Sequence, residues 1–133
     1  MDAILMPFNI GGSILVPGSG MHWATMVVYP KLGRIEYVDS GPAWGNPSAW
    51  HVVAAFLNRY FREAYGCDYP HRWTFFDHRD NAPQQSDGSA CGYFALMAVD
   101  HIMDELPLAY TMADIANFRR RVALSIINGR IAD

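Results

Sequence analysis

The sequence predicts an α+β fold, in which a small, mostly antiparallel sheet is packed by two or three helices. Short apolar or alternating segments lie in the first 40 residues, as expected of strands. Longer segments further along the chain carry apolar residues at helical spacing. Hydrophobic residues make up 51% of the 133 residues and charged residues 17%. This composition fits one globular domain with a core of its own.

The first half of the chain predicts strands. A strand over residues 3–8 is expected to break at Pro7, and a Gly- and Ser-rich loop follows over residues 9–20. A largely apolar strand is expected over residues 23–29. Residues 34–39 alternate between apolar and polar side chains and predict a second strand. The Pro- and Gly-containing turn between these two strands joins them as a hairpin.

The second half predicts three helices and one more strand. The segment 46–66 has Asn at its N-cap, Pro at its first position and Gly after its end, which are helix start and stop signals. A strand is expected over residues 72–76 and a polar loop over 77–90. Helices follow over 91–105 and 111–128, the last opened by a capping box. The first helix is expected to bury one apolar face: Val53, Phe56, Leu57, Tyr60, Phe61 and Ala64.

Charge and composition exclude several classes of function. The net charge is −3, so no basic field predicts a nucleic-acid partner. No apolar run reaches the roughly 20 residues that span a bilayer, so no membrane association is expected. The two cysteines, Cys67 and Cys91, are too few for a disulfide framework and indicate a reducing compartment, the nucleus or the cytoplasm. Cys67, Asp68 and His71 lack the usual zinc spacing, and neither a metal nor a cofactor is expected.

Cys91 is a candidate nucleophile. It stands between a polar, Gly-containing loop and an apolar helical segment, so it opens the predicted helix. The positive end of a helix and its free N–H groups stabilise a thiolate. Taken alone, this position equally fits a small buried hydrophobic residue, which is a common fate of a free cysteine.

The hairpin supplies a candidate base and its partner. His22 begins one strand and Asp39 ends the other, so the two are expected opposite each other or one pair apart. The carboxylate would then orient the imidazole as a general base, although strand-end residues are often solvated. Gln85, six residues before Cys91, is a candidate oxyanion donor or a solvated loop residue. Trp23 is a candidate wall of a substrate groove or a core residue.

These residues occur in an order that resembles a known family. The matching pieces are His22-Trp23, Asp39-Ser40, Pro83-Gln84-Gln85 and Cys91-Gly92. This order is similar to that of the ubiquitin-like-protein-specific cysteine proteases, which include the SUMO and sentrin-specific proteases and are related to the adenoviral protease. Residues 4–9 also resemble the strand before the family's His-Trp pair. The resemblance extends over about residues 4–104.

The resemblance implies a papain-like cysteine protease fold, with the catalytic cysteine at a helix N-terminus. It also implies a role for each matched residue: nucleophile Cys91, general base His22, orienting residue Asp39, oxyanion donor Gln85, and substrate contacts Trp23 and Gln84. The implied reaction is acyl transfer to the cysteine followed by hydrolysis. The bond cut would be a peptide or isopeptide bond after the C-terminal Gly-Gly of a SUMO-type modifier, in precursor maturation or deconjugation.

The resemblance also implies a domain organisation and binding partners. Residues 1–133 are expected to form a single catalytic domain whose partners are the modifier and its conjugates. Family domains carry further N-terminal segments that grip the modifier, so a missing N-terminal segment or a second chain is expected to complete the substrate site. Two alternatives remain open: a protein acetyltransferase that uses the same Cys, His and Asp set, and an inactive, truncated domain that binds a modifier.

Overall fold

The computed structural model describes residues 2–11, 20–41 and 43–131. Its elements, in chain order, are β1 (Ile4–Ile10), β2 (His22–Tyr29), β3 (Arg34–Val38), α1 (Trp50–Tyr65), β4 (Thr74–Asp77), α2 (Cys91–Met103) and α3 (Ile115–Asn128). Over this part of the chain the strands form one sheet in the order β1-β2-β3-β4. The first two pairs are antiparallel and the last is parallel. The predicted α+β fold with a mostly antiparallel sheet is confirmed.

The β2–β3 hairpin forms as predicted. A 3-10 turn over Pro30–Leu32 joins the strands and ends at Gly33, which has φ 61°, a conformation that glycine adopts without strain. The register pairs Tyr29 with Arg34 near the turn and Thr25 with Val38 at the other end. This register places the start of β2 and the residues after β3 at the same end of the sheet.

The predicted break at Pro7 is wrong. β1 runs through Pro7, which pairs with Thr25 of β2. β1 lies at the edge of the sheet, where a residue without an N–H donor breaks no ladder on its open side. The predicted loop over 9–20 starts later than expected, since β1 includes Ile10, and its residues 12–19 lie outside the described residues.

The sequence signals at the two ends of α1 are both present. The Asn46 side chain accepts a hydrogen bond from the backbone N–H of Ser48, and a 3-10 turn over Pro47–Ala49 leads into the helix. Gly66 ends α1 with φ 70° and donates its N–H to the carbonyl of Arg62. Asn46 therefore caps the 3-10 turn rather than α1 itself, which begins later than predicted, at Trp50, and Gly66 ends the helix as predicted.

The predicted apolar face of α1 is only partly correct. Val53 is buried as predicted, and Ala54 is buried beside it, whereas Phe56 and Tyr60 are 61% and 58% exposed. Their rings stack on each other at the surface, with centroids 6.4 Å apart. The apolar residues of α1 form two adjacent stripes along the helix. The stripe with Val53 packs against the sheet, and the stripe with Phe56 and Tyr60 faces solvent.

The sheet has a hydrophobic core on each face. One core lies between the sheet and α1, and its buried members are Ala24, Met26, Val28, Ile35, Tyr37, Val53 and Ala54. The other involves α2 and α3 and buries Val38, Ala82, Ala90, Phe94, Met97, Ala98, Tyr110, Ile115 and Phe118. The Thr25 hydroxyl also donates to the carbonyl of Ala95 at 3.0 Å. This bond fixes α2 against the middle strand β2.

α2 begins at Cys91 as predicted. The predicted capping box of Thr111 and Asp114 is present, but it opens a 3-10 turn over Met112–Asp114, and α3 begins later than predicted, at Ile115. Gly129, at φ 64°, ends α3. None of the helices described is long and apolar enough to cross a membrane.

Candidate active site

His22 and Asp39 form a buried hydrogen-bonded pair at one end of the hairpin. His22 is the first residue of β2, and Asp39 directly follows β3. The imidazole Nε2 lies 2.6 Å from Oδ1 of Asp39, and the two residues are 2% and 1% exposed. The predicted proximity of these residues is confirmed. Because Nε2 is engaged, Nδ1 is the ring nitrogen left to exchange a proton with another group.

The Asp39 carboxylate is held by two further donors. Oδ2 accepts a hydrogen bond from the Tyr37 hydroxyl at 2.7 Å, and Oδ1 accepts one from the backbone N–H of Gly41 at 2.8 Å. Burial, reinforced by the hydrogen bond to Asp39, raises the pKa of the Tyr37 hydroxyl far above its ordinary value. The hydroxyl therefore stays protonated as a donor, and both carboxylate oxygens are fixed.

The loop after β3 folds back against the His22–Asp39 pair. The residues of this loop that approach the pair most closely are Gly41, Trp44 and Gly45. A Cβ on Gly45 would lie 1.8 Å from Oδ2 of Asp39, and one on Gly41 would lie 3.0 Å from Cε1 of His22. The Trp44 ring meets the imidazole edge-on, with centroids 5.9 Å apart. Only glycine permits such close approach of the backbone, so these residues help to exclude water from the His22–Asp39 hydrogen bond.

Cys91 is the first residue of α2 and is buried. Asp87 organises the loop before it, since Oδ1 accepts hydrogen bonds from the backbone N–H groups of Ser89 and Ala90. These hydrogen bonds lower the pKa of the Asp87 carboxyl, and the one from Ala90 has the larger effect. The first N–H groups of a helix have no partner within the helix. Cys91 therefore stands at the N-terminal end of α2, the positive end of the helix dipole.

Trp23 brings the start of α2 next to the start of β2. Its Cδ1 lies 3.7 Å from the position that a Cβ on Gly92 would occupy. His22 precedes Trp23 and Cys91 precedes Gly92, so this contact places the candidate base and the candidate nucleophile on neighbouring segments. Trp23 is 42% exposed, unlike a core residue.

A cavity of about 550 Å³ opens beside Cys91. Its lining includes Trp23, Gly92, Leu96 of α2 and Val122 of α3. The walls are mainly apolar, and the thiol-bearing residue stands at one side. The cavity is large enough for an extended peptide segment to reach Cys91.

Gln84 and Gln85 have different surroundings. The Gln84 amide nitrogen lies within hydrogen-bond distance of the carbonyls of Ala82 (2.7 Å), Arg79 (2.8 Å) and Asp39 (3.3 Å). These contacts favour a role in bracing the loop, and its predicted contact with substrate stays a prediction. Gln85 accepts a hydrogen bond from the Ser40 hydroxyl, and its amide donates to the carbonyl of Asp87.

The sequence reasoning missed several residues of this site. Tyr37 lies two positions before Asp39 in an alternating strand, so strand periodicity places both side chains on one face and could have revealed the contact. Trp44, Gly41 and Gly45 carry no such signal, because their contacts depend on how the chain folds back. Among residues 2–11, 20–41 and 43–131, no cluster of three His, Cys, Asp or Glu side chains suits a metal ion.

Curated relatives of this chain are proteases of one kind. Sentrin-specific protease 2 of Pongo abelii is 25% identical over 121 residues, which cover 89% of this chain and 20% of the relative. The ubiquitin-like-specific protease ESD4 of Arabidopsis thaliana is 25% identical over 111 residues, covering 84% of this chain and 22% of the relative. The chain thus spans about a fifth of the length of these relatives.

Solved structures share the fold. The Chaetomium thermophilum Ulp1-like SUMO protease catalytic domain superposes with a TM-score of 0.70 at 25% identity, covering 100% of this chain and 48% of that one. The yeast Ulp1 C-terminal protease domain, solved in complex with the SUMO ortholog Smt3, gives a TM-score of 0.70 at 24% identity over 96% of this chain and 53% of that one. A sequence profile described as the Ulp1 protease family, C-terminal catalytic domain, matches residues 1–131. The chain therefore belongs to the Ulp1 protease family.

Proposed function

We propose that this chain is the catalytic part of a cysteine peptidase that cleaves after the C-terminal Gly-Gly of a SUMO-type modifier. The observation that carries the proposal is the buried His22–Asp39 pair. Trp23, the residue after His22, lies close to Gly92 in the first turn of the helix that begins with Cys91. A thiol nucleophile needs an adjacent base, and the base needs a group that orients it. Family membership and the names of the relatives support the class of substrate.

The first chemical step forms an acyl-enzyme. His22 takes the Cys91 thiol proton through Nδ1, because Nε2 is bonded to Asp39. The thiolate attacks the carbonyl carbon of the terminal glycine, and a C–S bond forms. Asp39 stabilises the imidazolium and keeps the ring in its orientation. The C–N bond then breaks as His22 returns the proton to the leaving amine.

The carbonyl oxygen becomes negatively charged during this attack. The backbone N–H of Cys91 and the side-chain amide of Gln85 are its proposed donors. In the second step His22 removes a proton from water, the hydroxide attacks the thioester carbon, the C–S bond breaks, and His22 returns the proton to the Cys91 thiolate. The products are the free modifier and the regenerated enzyme.

The cavity beside Cys91 is the proposed binding site for the C-terminal end of the modifier. Trp23 lines this cavity and lies close to Gly92. A Gly-Gly tail has no side chains, so it can lie extended against an indole without steric obstruction. Gln84 is the remaining candidate for a substrate contact, next to the oxyanion donor.

The proposal extends to domain organisation and compartment. Residues 1–133 would form a single catalytic domain, since its two cores share one sheet. This chain spans about half of the solved catalytic domains that it matches. A further segment or a second chain would therefore supply the rest of the surface that grips the modifier. The reaction requires a free thiol, so the protein would act in the nucleus or the cytoplasm.

A covalent labelling experiment tests the proposal. The protein is incubated with SUMO that carries a thiol-reactive warhead at its C-terminus, and adducts are detected by intact mass. The wild type is expected to gain one SUMO. Cys67→Ala serves as the matched control and should label equally, because Cys67 is exposed and lies outside the site. Cys91→Ala should not label. Absence of an adduct with the folded wild type, for SUMO and for ubiquitin alike, would contradict the proposal.

A further inference from the structure

Ser40 is a buried side chain that the proposed mechanism does not use. It follows Asp39 directly and is 6% exposed. Its hydroxyl donates a hydrogen bond of 2.7 Å to Oε1 of Gln85, 45 residues away in the chain. Its carbonyl accepts a second bond, at 2.9 Å, from the backbone N–H of Gln85. Ser40 thus holds Gln85 by both its main chain and its side chain.

The two ends of the Gln85 carboxamide face different partners. Its Nε2 donates to the carbonyl oxygen of Asp87 at 2.8 Å, and a carbonyl can only accept. The end near Asp87 must therefore be the nitrogen. The end near Ser40 is then the oxygen, which the Ser40 hydroxyl satisfies as a donor. A rotated amide would set Oε1 against the Asp87 carbonyl and is electrostatically disfavoured.

The orientation decides what Gln85 can offer to a reacting carbonyl. An amide nitrogen has two hydrogens, and Asp87 takes one of them. The second hydrogen is the one that the proposed mechanism assigns to the developing oxyanion. Without the Ser40 hydroxyl the amide would be held at its nitrogen end alone, by the Asp87 carbonyl, so its position would be less well fixed and the donor would be in place for only part of the time.

We infer that Ser40 is a positioning residue that orients the Gln85 amide as an oxyanion donor. The inference rests on the proposed function, since it assigns Gln85 that role. It also links two parts of the site through one short segment. Asp39 orients His22 through its carboxylate, and Ser40 orients Gln85 through its hydroxyl. A single strand end thereby places both the base and the oxyanion donor.

A double-mutant cycle tests this inference. Turnover of a SUMO Gly-Gly–fluorophore amide is measured for Ser40→Ala, Gln85→Ala and the double variant. Ser40→Ala is expected to lower kcat roughly 10-fold, with KM changed less than about two-fold, because one neutral hydrogen bond is lost. In the Gln85→Ala background the same change should have almost no effect. Equal loss in both backgrounds, or no loss in either, would overturn the inference.

Two controls separate this role from general damage. Ser86→Ala removes an exposed serine from the same loop and should leave kcat unchanged. Ser40→Thr keeps the hydroxyl and should recover most of the kcat that Ser40→Ala loses. A Ser40→Thr variant that folds and remains as slow as Ser40→Ala would overturn the inference.

An NMR measurement separates the failure of this inference from the failure of the proposed function. The Gln85 side-chain NH₂ signals are expected to exchange slowly with solvent in the wild type and faster in Ser40→Ala. This result in a protein that cleaves no SUMO substrate would support the positioning role and contradict the proteolytic function. Unchanged exchange in Ser40→Ala, in an active enzyme, would overturn the positioning role alone.

Discussion

The Tyr37 hydroxyl donates a hydrogen bond of 2.7 Å to Oδ2 of Asp39, two residues further along the chain. The other oxygen of the same carboxylate bonds the His22 ring. The backbone N–H of Asn46 in turn donates to the Tyr37 oxygen at 3.1 Å. The orientation of the imidazole therefore depends on a short chain of hydrogen bonds that extends from the buried pair to Asn46, which caps the 3-10 turn before α1.

Removal of the Tyr37 hydroxyl tests this chain. Tyr37→Phe leaves one oxygen of a buried carboxylate without its donor, which costs roughly 1–3 kcal/mol of stability. Turnover should fall roughly 10-fold, because Oδ2 loses its donor and the carboxylate is then held through Oδ1 alone. Tyr110→Phe is the matched control. It removes a buried hydroxyl that donates to the Phe94 carbonyl, so it should lower the melting temperature but preserve kcat. Wild-type turnover in Tyr37→Phe would show that the hydroxyl does not hold the carboxylate.

A methyl group at Gly45 should disrupt the His22–Asp39 pair. The Cβ of Gly45→Ala would lie 1.8 Å from Oδ2 of Asp39 and 2.6 Å from the Tyr37 hydroxyl, so either the backbone or the carboxylate must move. We expect a loss of kcat of at least roughly 10-fold and a lower melting temperature. Gly88→Ala is the control, since a Cβ there would meet nothing within 4 Å. Similar activity in the two variants would refute the close approach at Gly45.

Substitution of Gln84 distinguishes bracing from substrate binding. Its amide nitrogen has two hydrogens, and the carbonyls of Ala82 and Arg79 are nearer than that of Asp39. Gln84→Ala should lower stability by about 1 kcal/mol and speed hydrogen exchange in residues 79–85. KM should change little if bracing is the whole role. A raised KM with unaltered stability would instead favour the substrate contact that the family resemblance implies.

The His78–Glu36 pair predicts a pH dependence of stability. A hydrogen bond of 2.8 Å joins the two side chains. This hydrogen bond raises the pKa of His78 and lowers the pKa of Glu36. Burial of the two side chains acts in the opposite direction and is the smaller effect. A raised histidine pKa stabilises the fold below about pH 6.5, and this contribution is lost as the pH rises through the folded-state pKa. A lowered glutamate pKa stabilises above about pH 4.3 and is lost as the pH falls through its own folded-state pKa.

The test compares melting temperatures of the wild type and His78→Asn. The difference should be larger at pH 5.5 than at pH 8.5, and no more than about 4 °C for a part-exposed pair in a domain of this size. In a Glu36→Gln background, His78→Asn should have little further effect. The same difference at both pH values would show that the pair does not titrate as described. The backbone N–H of His78 also donates to the carbonyl of Tyr37, so both the main chain and the side chain of His78 are bonded to β3.

Local sequence signals predicted where the helices and strands form better than they predicted which elements pack against each other. The turn before Gly33 and the alternation of residues 34–39 sufficed for the hairpin and for the meeting of His22 with Asp39. Caps at Asn46 and Gly66 sufficed for the first helix. These signals act within a few residues, so one sequence can contain them in full.

Tertiary relationships could not be predicted in the same way. Pro7 was expected to break its strand, but its effect depends on β1 being at the sheet edge. Helical spacing predicts that Phe56 and Tyr60 are buried. They are exposed, because the position of the sheet determines which side of α1 is buried. The contact of Gly45 with Asp39 depends on the return of a loop. The catalytic roles of Cys91 and Gln85 stay predictions.

The most direct measurement of the central claim is the hydrolysis rate of SUMO linked through its terminal Gly-Gly to a fluorescent amine. The wild type should release the fluorophore, Cys91→Ala should release none, and Asp39→Asn should be slower by roughly 10²- to 10⁴-fold. Asp68→Asn should keep the wild-type rate, because Asp68 lies in an exposed ion pair with Arg62. Turnover that survives Cys91→Ala, or an Asp39→Asn rate equal to that of the wild type, would contradict the account.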